Sequence, residues 1–148
     1  MSETISPGGI VASLQLCPGH RKPMTKVAEA EAIENLGLRG DRHALPDSSR
    51  QIILLEKETM DKLGIKPGDV KENITTTGIS LMTLPSKQQI RIGKEVTFEV
   101  TKPCSPCSRM DEIRPDLLRE IAGRRGILVR VVRGGTIRVG DAIQLIGG

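Results

Sequence analysis

The apolar residues of this chain come in short runs punctuated by glycine, and that pattern restricts the fold more than any other feature. Runs over residues 9–16, 50–55, 73–77, 90–93, 95–101, 126–132, 136–141 and 142–146 are each four to eight residues long and rich in Val, Ile, Leu or Thr. Such lengths and residue types suit strands, and Pro18-Gly19, Pro67-Gly68, Gly93 and Gly134-Gly135 supply the turns between them. Two segments read instead as short helices. Glu56–Leu63 is stopped by Gly64, and Arg114–Ala122 sets Leu117, Leu118 and Ile121 at helical spacing. The stretch Lys26–Ile33 is ambiguous, since Ala and Glu favour helix while alternation puts Ala28, Ala30 and Ala32 on one side of a strand. The predicted fold is mostly β, a single small barrel with two or three short helices.

A chain of 148 residues is the size of one domain, with its expected core over about residues 9–146. One Phe and no Trp or Tyr leave that core to Val, Ile, Leu, Met and Ala. The same scarcity argues against nucleic-acid binding, because bases need exposed rings to stack on. Net charge is +4, and eight arginines lie between positions 109 and 138. They could draw in a phosphate-bearing ligand or simply coat a solvated face. No apolar run approaches the roughly 20 residues of a membrane span, and the first residues lack a secretory pattern. The expectation is a cytoplasmic protein with no membrane partner.

Chemistry concentrates in the loop Lys102-Pro103-Cys104-Ser105-Pro106-Cys107-Ser108-Arg109. Two thiols three positions apart, stiffened by prolines and flanked by cations, make poor core. They suit a soft metal, a persulfide or a disulfide. Three cysteines in all are too few for a disulfide scaffold, so the loop reads as chemistry in a reducing compartment. Arg109 and Lys102 would favour the thiolate of Cys107. Cys104 could resolve an oxidised or persulfidated Cys107, or only fill space. A zinc site built from Cys17, His20, Cys104 and Cys107 has turn-like spacing at both ends, but its halves lie far apart in sequence. His43, with Asp41 in a glycine-bounded turn, is a candidate proton donor or a structural residue. Arg50 could bind an anion or pair with Glu56, and the amide of Asn73 is suited to direct ligand contact.

Taken in order, Gly40–His43, Arg50-Gln51, Glu72–Thr75, Pro103–Cys107 and Gly135–Asp141 resemble the motifs of the MOSC domain. This is the C-terminal domain of molybdenum cofactor sulfurases, also found in amidoxime-reducing components and in small stand-alone bacterial proteins. The resemblance runs from about Gly9 to Ile146. It implies a β-barrel, which tips Lys26–Ile33 towards strand, and association with the molybdenum-pterin cofactor. It also implies a cysteine, here Cys107, that ligates the metal or carries sulfane sulfur. Ser105, Asn73, Lys71, Arg109 and Arg50 would surround the anionic pterin, with Lys71 where the amidoxime-reducing branch has Arg. Larger relatives add an N-terminal barrel that helps bind the cofactor. No flavin, haem or iron–sulfur signature is present, so a reductase of N-hydroxylated substrates would need an external electron donor. The alternative is a non-catalytic carrier of sulfur or cofactor, served by a cysteine desulfurase.

Overall fold

A computed structural model describes residues 5–6, 8–19, 22–106 and 109–146. Among these the chain forms twelve strands and three short helices. The strands are β1 (Ile5–Ser6), β2 (Ile10–Leu16), β3 (Thr25–Val27), β4 (Glu29–Ile33), β5 (Gly37–Leu38) and β6 (Ile52–Glu56). They continue as β7 (Ile74–Thr77), β8 (Gln89–Ile92), β9 (Val96–Pro103), β10 (Ile127–Arg133), β11 (Gly135–Arg138) and β12 (Ile143–Ile146). The helices are α1 (Lys57–Leu63), α2 (Met110–Ile113) and α3 (Leu117–Ile121). No helix among the described residues is long and apolar enough to cross a membrane.

Nine strands form one sheet in the order β1-β12-β8-β9-β10-β6-β7-β2-β3, and β11-β4-β5 form a second. Every pairing is antiparallel except β6 with β7, the two strands joined through α1. A continuous ladder does not close the large sheet into the expected barrel. Instead its next-to-last strands, β2 and β12, meet at an antiparallel bridge, Ile10 to Ala142. Around it, Val11 N–H donates to Asp141 O at 2.9 Å and Ile143 N–H to Gly9 O at 2.7 Å. A β-carbon on Gly8 would lie 1.6 Å from Ile143 O, so only glycine permits this approach.

Alternation explains which side chains go inside. In β9, Val96, Phe98 and Val100 are buried while the residues between them are half-buried, and Ile90 and Ile92 of β8 join them. The one aromatic residue, Phe98, is fully buried in this main core. A second apolar cluster unites Leu55, Met60, Leu63 and Val70 with Met110, Leu117 and Ile121, fastening the helices to the sheet. The αL conformation of Gly64 ends α1 as its sequence predicts. The ambiguous segment is β3 and β4, with Ala30 and Ala32 buried. Ala28 departs from the expected alternation: it is exposed at a bend between the two strands.

A buried polar spine runs beneath the join of β2, β6 and β7. Asn73, just before β7, accepts from Ile53 N–H at 3.0 Å through Oδ1. Its Nδ2 donates to Gln15 O at 3.2 Å and to Asp41 Oδ1 at 3.0 Å. The amide thus extends the β6–β7 ladder by one rung and ties both strands to β2 and to the turn after β5. Gln15 Nε2 donates in turn to Glu72 O at 3.2 Å and Thr75 Oγ1 at 3.3 Å, while Ser13 Oγ donates to Gln15 Oε1. Glu72 is fully buried, and its Oε2 accepts from Gly68 N–H at 2.9 Å and Thr75 Oγ1 at 3.0 Å. Burial pushes its pKa up, opposed by these hydrogen bonds and by the charge of Arg125.

Two expectations follow from the spine. Asn73→Ala removes three buried hydrogen bonds at once and is expected to cost about 2–4 kcal/mol, measured as a fall in the denaturant midpoint at unchanged slope. Glu72, with its folded pKa raised above the ordinary value of 4.5, binds more protons folded than unfolded between the two values. Its contribution to stability therefore falls as pH rises through that window. The stability of Glu72→Gln relative to wild type is expected to climb as pH rises above the ordinary carboxylate value of 4.5, and a flat difference would contradict the raised pKa.

Candidate functional site

The C-terminal end of β9 opens beside a cavity of about 390 Å³, in the size range of small-molecule sites. Its wall brings together His43, Arg50, Lys71, Cys104, Ser105 and Arg109, residues from four separate stretches of sequence. Ile53, Val70, Met110 and Ile113 give it an apolar side, Asp69 and Glu112 are its acids, and Arg125 completes the wall.

Each element delivers its residue for a local reason. β9 runs out at Pro103, and Cys104 N–H donates to Gly126 O at 2.9 Å, so the cysteine loop leaves the sheet already bound to the start of β10. Gly126 has φ +100, and a β-carbon there would meet Leu54 O at 2.2 Å. No other residue fits this crossing. Cys104 is 5% exposed and packs with Ile53 and Leu128, whereas Ser105 is exposed. Cys107 and Ser108 lie outside the described residues, between Pro106 and an Arg109 that lines the cavity.

His43 owes its position to Asp41, whose side chain is fully buried. Asp41 Oδ1 accepts from Cys17 N–H at 2.7 Å and from Asn73 Nδ2, while Oδ2 accepts from His43 N–H at 3.0 Å. The His43 ring turns Nδ1 towards Oδ2 at 3.4 Å, a close approach rather than a hydrogen bond, because Nδ1 has no hydrogen-bond partner among the described residues. Lys71 sits at φ +66 and its Nζ donates to Lys22 O at 2.5 Å, tethering the ammonium across the cavity edge.

Several sequence expectations meet a different arrangement. Asn73 does not line the cavity: it is fully buried, with its amide engaged by Ile53, Gln15 and Asp41. It supports the His43 turn from behind instead of meeting a ligand. Arg50 does not pair with Glu56, whose Oε2 accepts from Leu81 N–H at 2.8 Å. Much of the C-terminal arginine excess is matched by acids. Arg114 pairs with Glu120 at 2.6 Å, Arg130 with Glu99 at 2.9 Å and Arg138 with Glu29 at 3.6 Å. For the zinc alternative, His20 and Cys107 lie outside the described residues. Cys17 is buried with its thiol donating to Gly19 O at 3.4 Å, and no metal-holding cluster of His, Cys, Asp or Glu occurs among the described residues. The residue that sequence reasoning passed over is Arg125. It entered there only as one of eight arginines that could draw in a phosphate-bearing ligand or coat a solvated face, in the Gly-Arg-Arg-Gly turn between α3 and β10.

Comparison with solved structures places this fold among known ones. YuaD from Bacillus subtilis superposes with a TM-score of 0.83 at 18% identity, over 97% of this chain and 98% of that one. YiiM from Escherichia coli gives 0.70 at 19% identity, over 94% of this chain and 70% of that one. YiiM from Geobacillus stearothermophilus gives 0.65 at 19% identity, over 97% and 76%. No curated protein matches the sequence. Residues 41–144, well over half the chain and including both the His43 turn and the cysteine loop, match the MOSC domain. The chain therefore belongs to the MOSC domain family, a family associated with molybdenum cofactor proteins.

Proposed function

We propose that the cavity beside the cysteine loop binds the anionic molybdenum-pterin cofactor, and that Cys107 supplies the thiolate that ligates the metal or carries sulfur. One observation carries this reading: cations from separate parts of the chain converge with the cysteine loop on a single cavity. The donor set fits such a group. Arg50, Lys71 and Arg109 supply positive charge, Ser105 offers an exposed hydroxyl, and Ile53, Val70 and Met110 offer an apolar face to a ring.

When bound, the cofactor supplies two-electron redox chemistry at molybdenum. The chain's own residues bind and orient around it. Arg109 and Lys102 stabilise the Cys107 thiolate electrostatically. His43, held through its backbone N–H by Asp41, offers its ring for holding or releasing a proton. Reduction of an N-hydroxylated base to the amine and water consumes two electrons and two protons, with the electrons drawn from a separate donor protein. Cys104, packed on Ile53 and Leu128, acts as part of the wall.

A second reading, a carrier of sulfur for a partner enzyme, is favoured by the exposure of Ser105, two residues before Cys107 in the chain. There the Cys107 thiolate would attack the persulfide of a cysteine desulfurase. The sulfane sulfur would move to Cys107 and the desulfurase thiolate would leave.

Protein purified from molybdenum-replete cells is expected to contain molybdenum and pterin, with Cys107→Ser reduced to the background of molybdenum-free cells. Cofactor-free protein that takes up none of the added cofactor would remove the reading. Mass spectrometry after desulfurase treatment separates the carrier, which gains one sulfur at Cys107. Cys104→Ser is expected to retain loading and to lose about 1–2 kcal/mol of stability from its buried site. Loss of loading in a folded Cys104→Ser protein would instead make Cys104 a working thiol.

A further inference from the structure

Arg125 is the one fully charged side chain among the buried residues of the cavity wall, 5% exposed in the turn between α3 and β10. Its Nη2 donates to Val70 O at 2.5 Å. Nε and Nη1 are closed off from bulk water and have no partner among the described residues. Glu72 attracts Arg125 but forms no ion pair with it among the described residues, and its Oε1 is likewise without a partner there. A guanidinium cannot shed its proton, so a buried one with unmet donors is a cost that folded proteins avoid unless something completes it.

We infer that Arg125 is the anchoring cation of this cavity and that what balances its buried charge is an oxyanion, a phosphate or phosphate-ester group on the ligand. The guanidinium only donates and matches tetrahedral oxyanions in geometry. Arg50, Lys71 and Arg109 line the same cavity and add to the attraction. The anchor is also held rigidly to the chemistry: its neighbour Gly126 accepts the hydrogen bond from Cys104 N–H. A ligand gripped at Arg125 is thereby positioned against the cysteine loop.

The inference rests on the cavity's being the ligand site proposed above, yet its test needs no cofactor. Inorganic phosphate is titrated into cofactor-free wild type, Arg125→Gln, Arg125→Lys and the control Arg130→Gln, which lies outside the cavity. Binding is followed by the side-chain Nε–H signal of Arg125, assigned by its loss in Arg125→Lys. That signal is expected to shift on saturation. Arg125→Gln is expected to weaken phosphate binding at least about tenfold, the size of a lost charge-assisted hydrogen bond. Arg125→Lys should be intermediate, because charge remains without the planar fork, and Arg130→Gln should match wild type. Equal phosphate affinity in Arg125→Gln overturns the inference. So does a wild-type Nε–H signal that stays still at saturation, which decides the matter even if Arg125→Gln does not fold. Repeating the titration on cofactor-loaded protein identifies the source. Loss of phosphate binding assigns Arg125 to the cofactor's own phosphate, and retained binding assigns it to a phosphorylated substrate. Protein that lacks molybdenum altogether would end the cofactor reading and leave this one standing.

Discussion

The amide of Asn73 is the interaction on which the site's geometry depends. It sits where β2, β6 and β7 converge, and it substitutes a side-chain oxygen for the backbone acceptor that Ile53 would otherwise lack. The same amide holds Asp41, and Asp41 holds the His43 turn. A residue of this kind does little for hydrophobic burial. Its value lies in direction: three fixed hydrogen bonds select one arrangement of strands and turn, and a buried amide is costly in any other. The fully buried Gln15, Glu72 and Thr75 continue the same logic along the join.

Charge is distributed unequally over the molecule. Along the surface, arginines of the C-terminal third meet glutamates across strands or along helices, and such exposed pairs contribute little to stability. Around the cavity the balance differs, with Arg50, Lys71, Arg109 and Arg125 set against Asp69 and Glu112. A partly enclosed, partly apolar wall strengthens the field of those cations, since less water screens them. The overall charge of +4 says nothing of this contrast.

The strands were largely legible because a period of two and glycine turns are local signals. β2, β6, β7, β8, β9 and β10 fall within a residue or two of where the pattern puts them, and α1 ends at Gly64. The weakest local signal gave the poorest expectation: around Ala28 the chain bends, and alternation holds only from Glu29 onwards. In place of the expected barrel ladder, the gap is spanned by the Ile10–Ala142 bridge and the backbone hydrogen bonds beside it, where neither residue sits deep in a regular strand. At the site, the cysteine loop, His43 and Arg50 were legible by residue type, and Lys71 only through the resemblance to the family. Asn73 and Arg125 were not, because their roles depend on burial: an amide that looked available is consumed, and an arginine that looked solvated is enclosed.

By itself, the sequence determined the strand and helix segments, the aliphatic core around a lone Phe98, and a thiol-bearing loop beside cations. These follow from propensity, period and composition, which act over a few neighbouring residues. Only the tertiary structure decided that residues 43, 50, 71, 104, 109 and 125 share one cavity, and that Asn73 stands behind it instead of in it. The physical reason is that burial and hydrogen-bond satisfaction belong to the packed sheet as a whole. Whether a polar group faces a ligand or another strand is settled by partners tens of residues away.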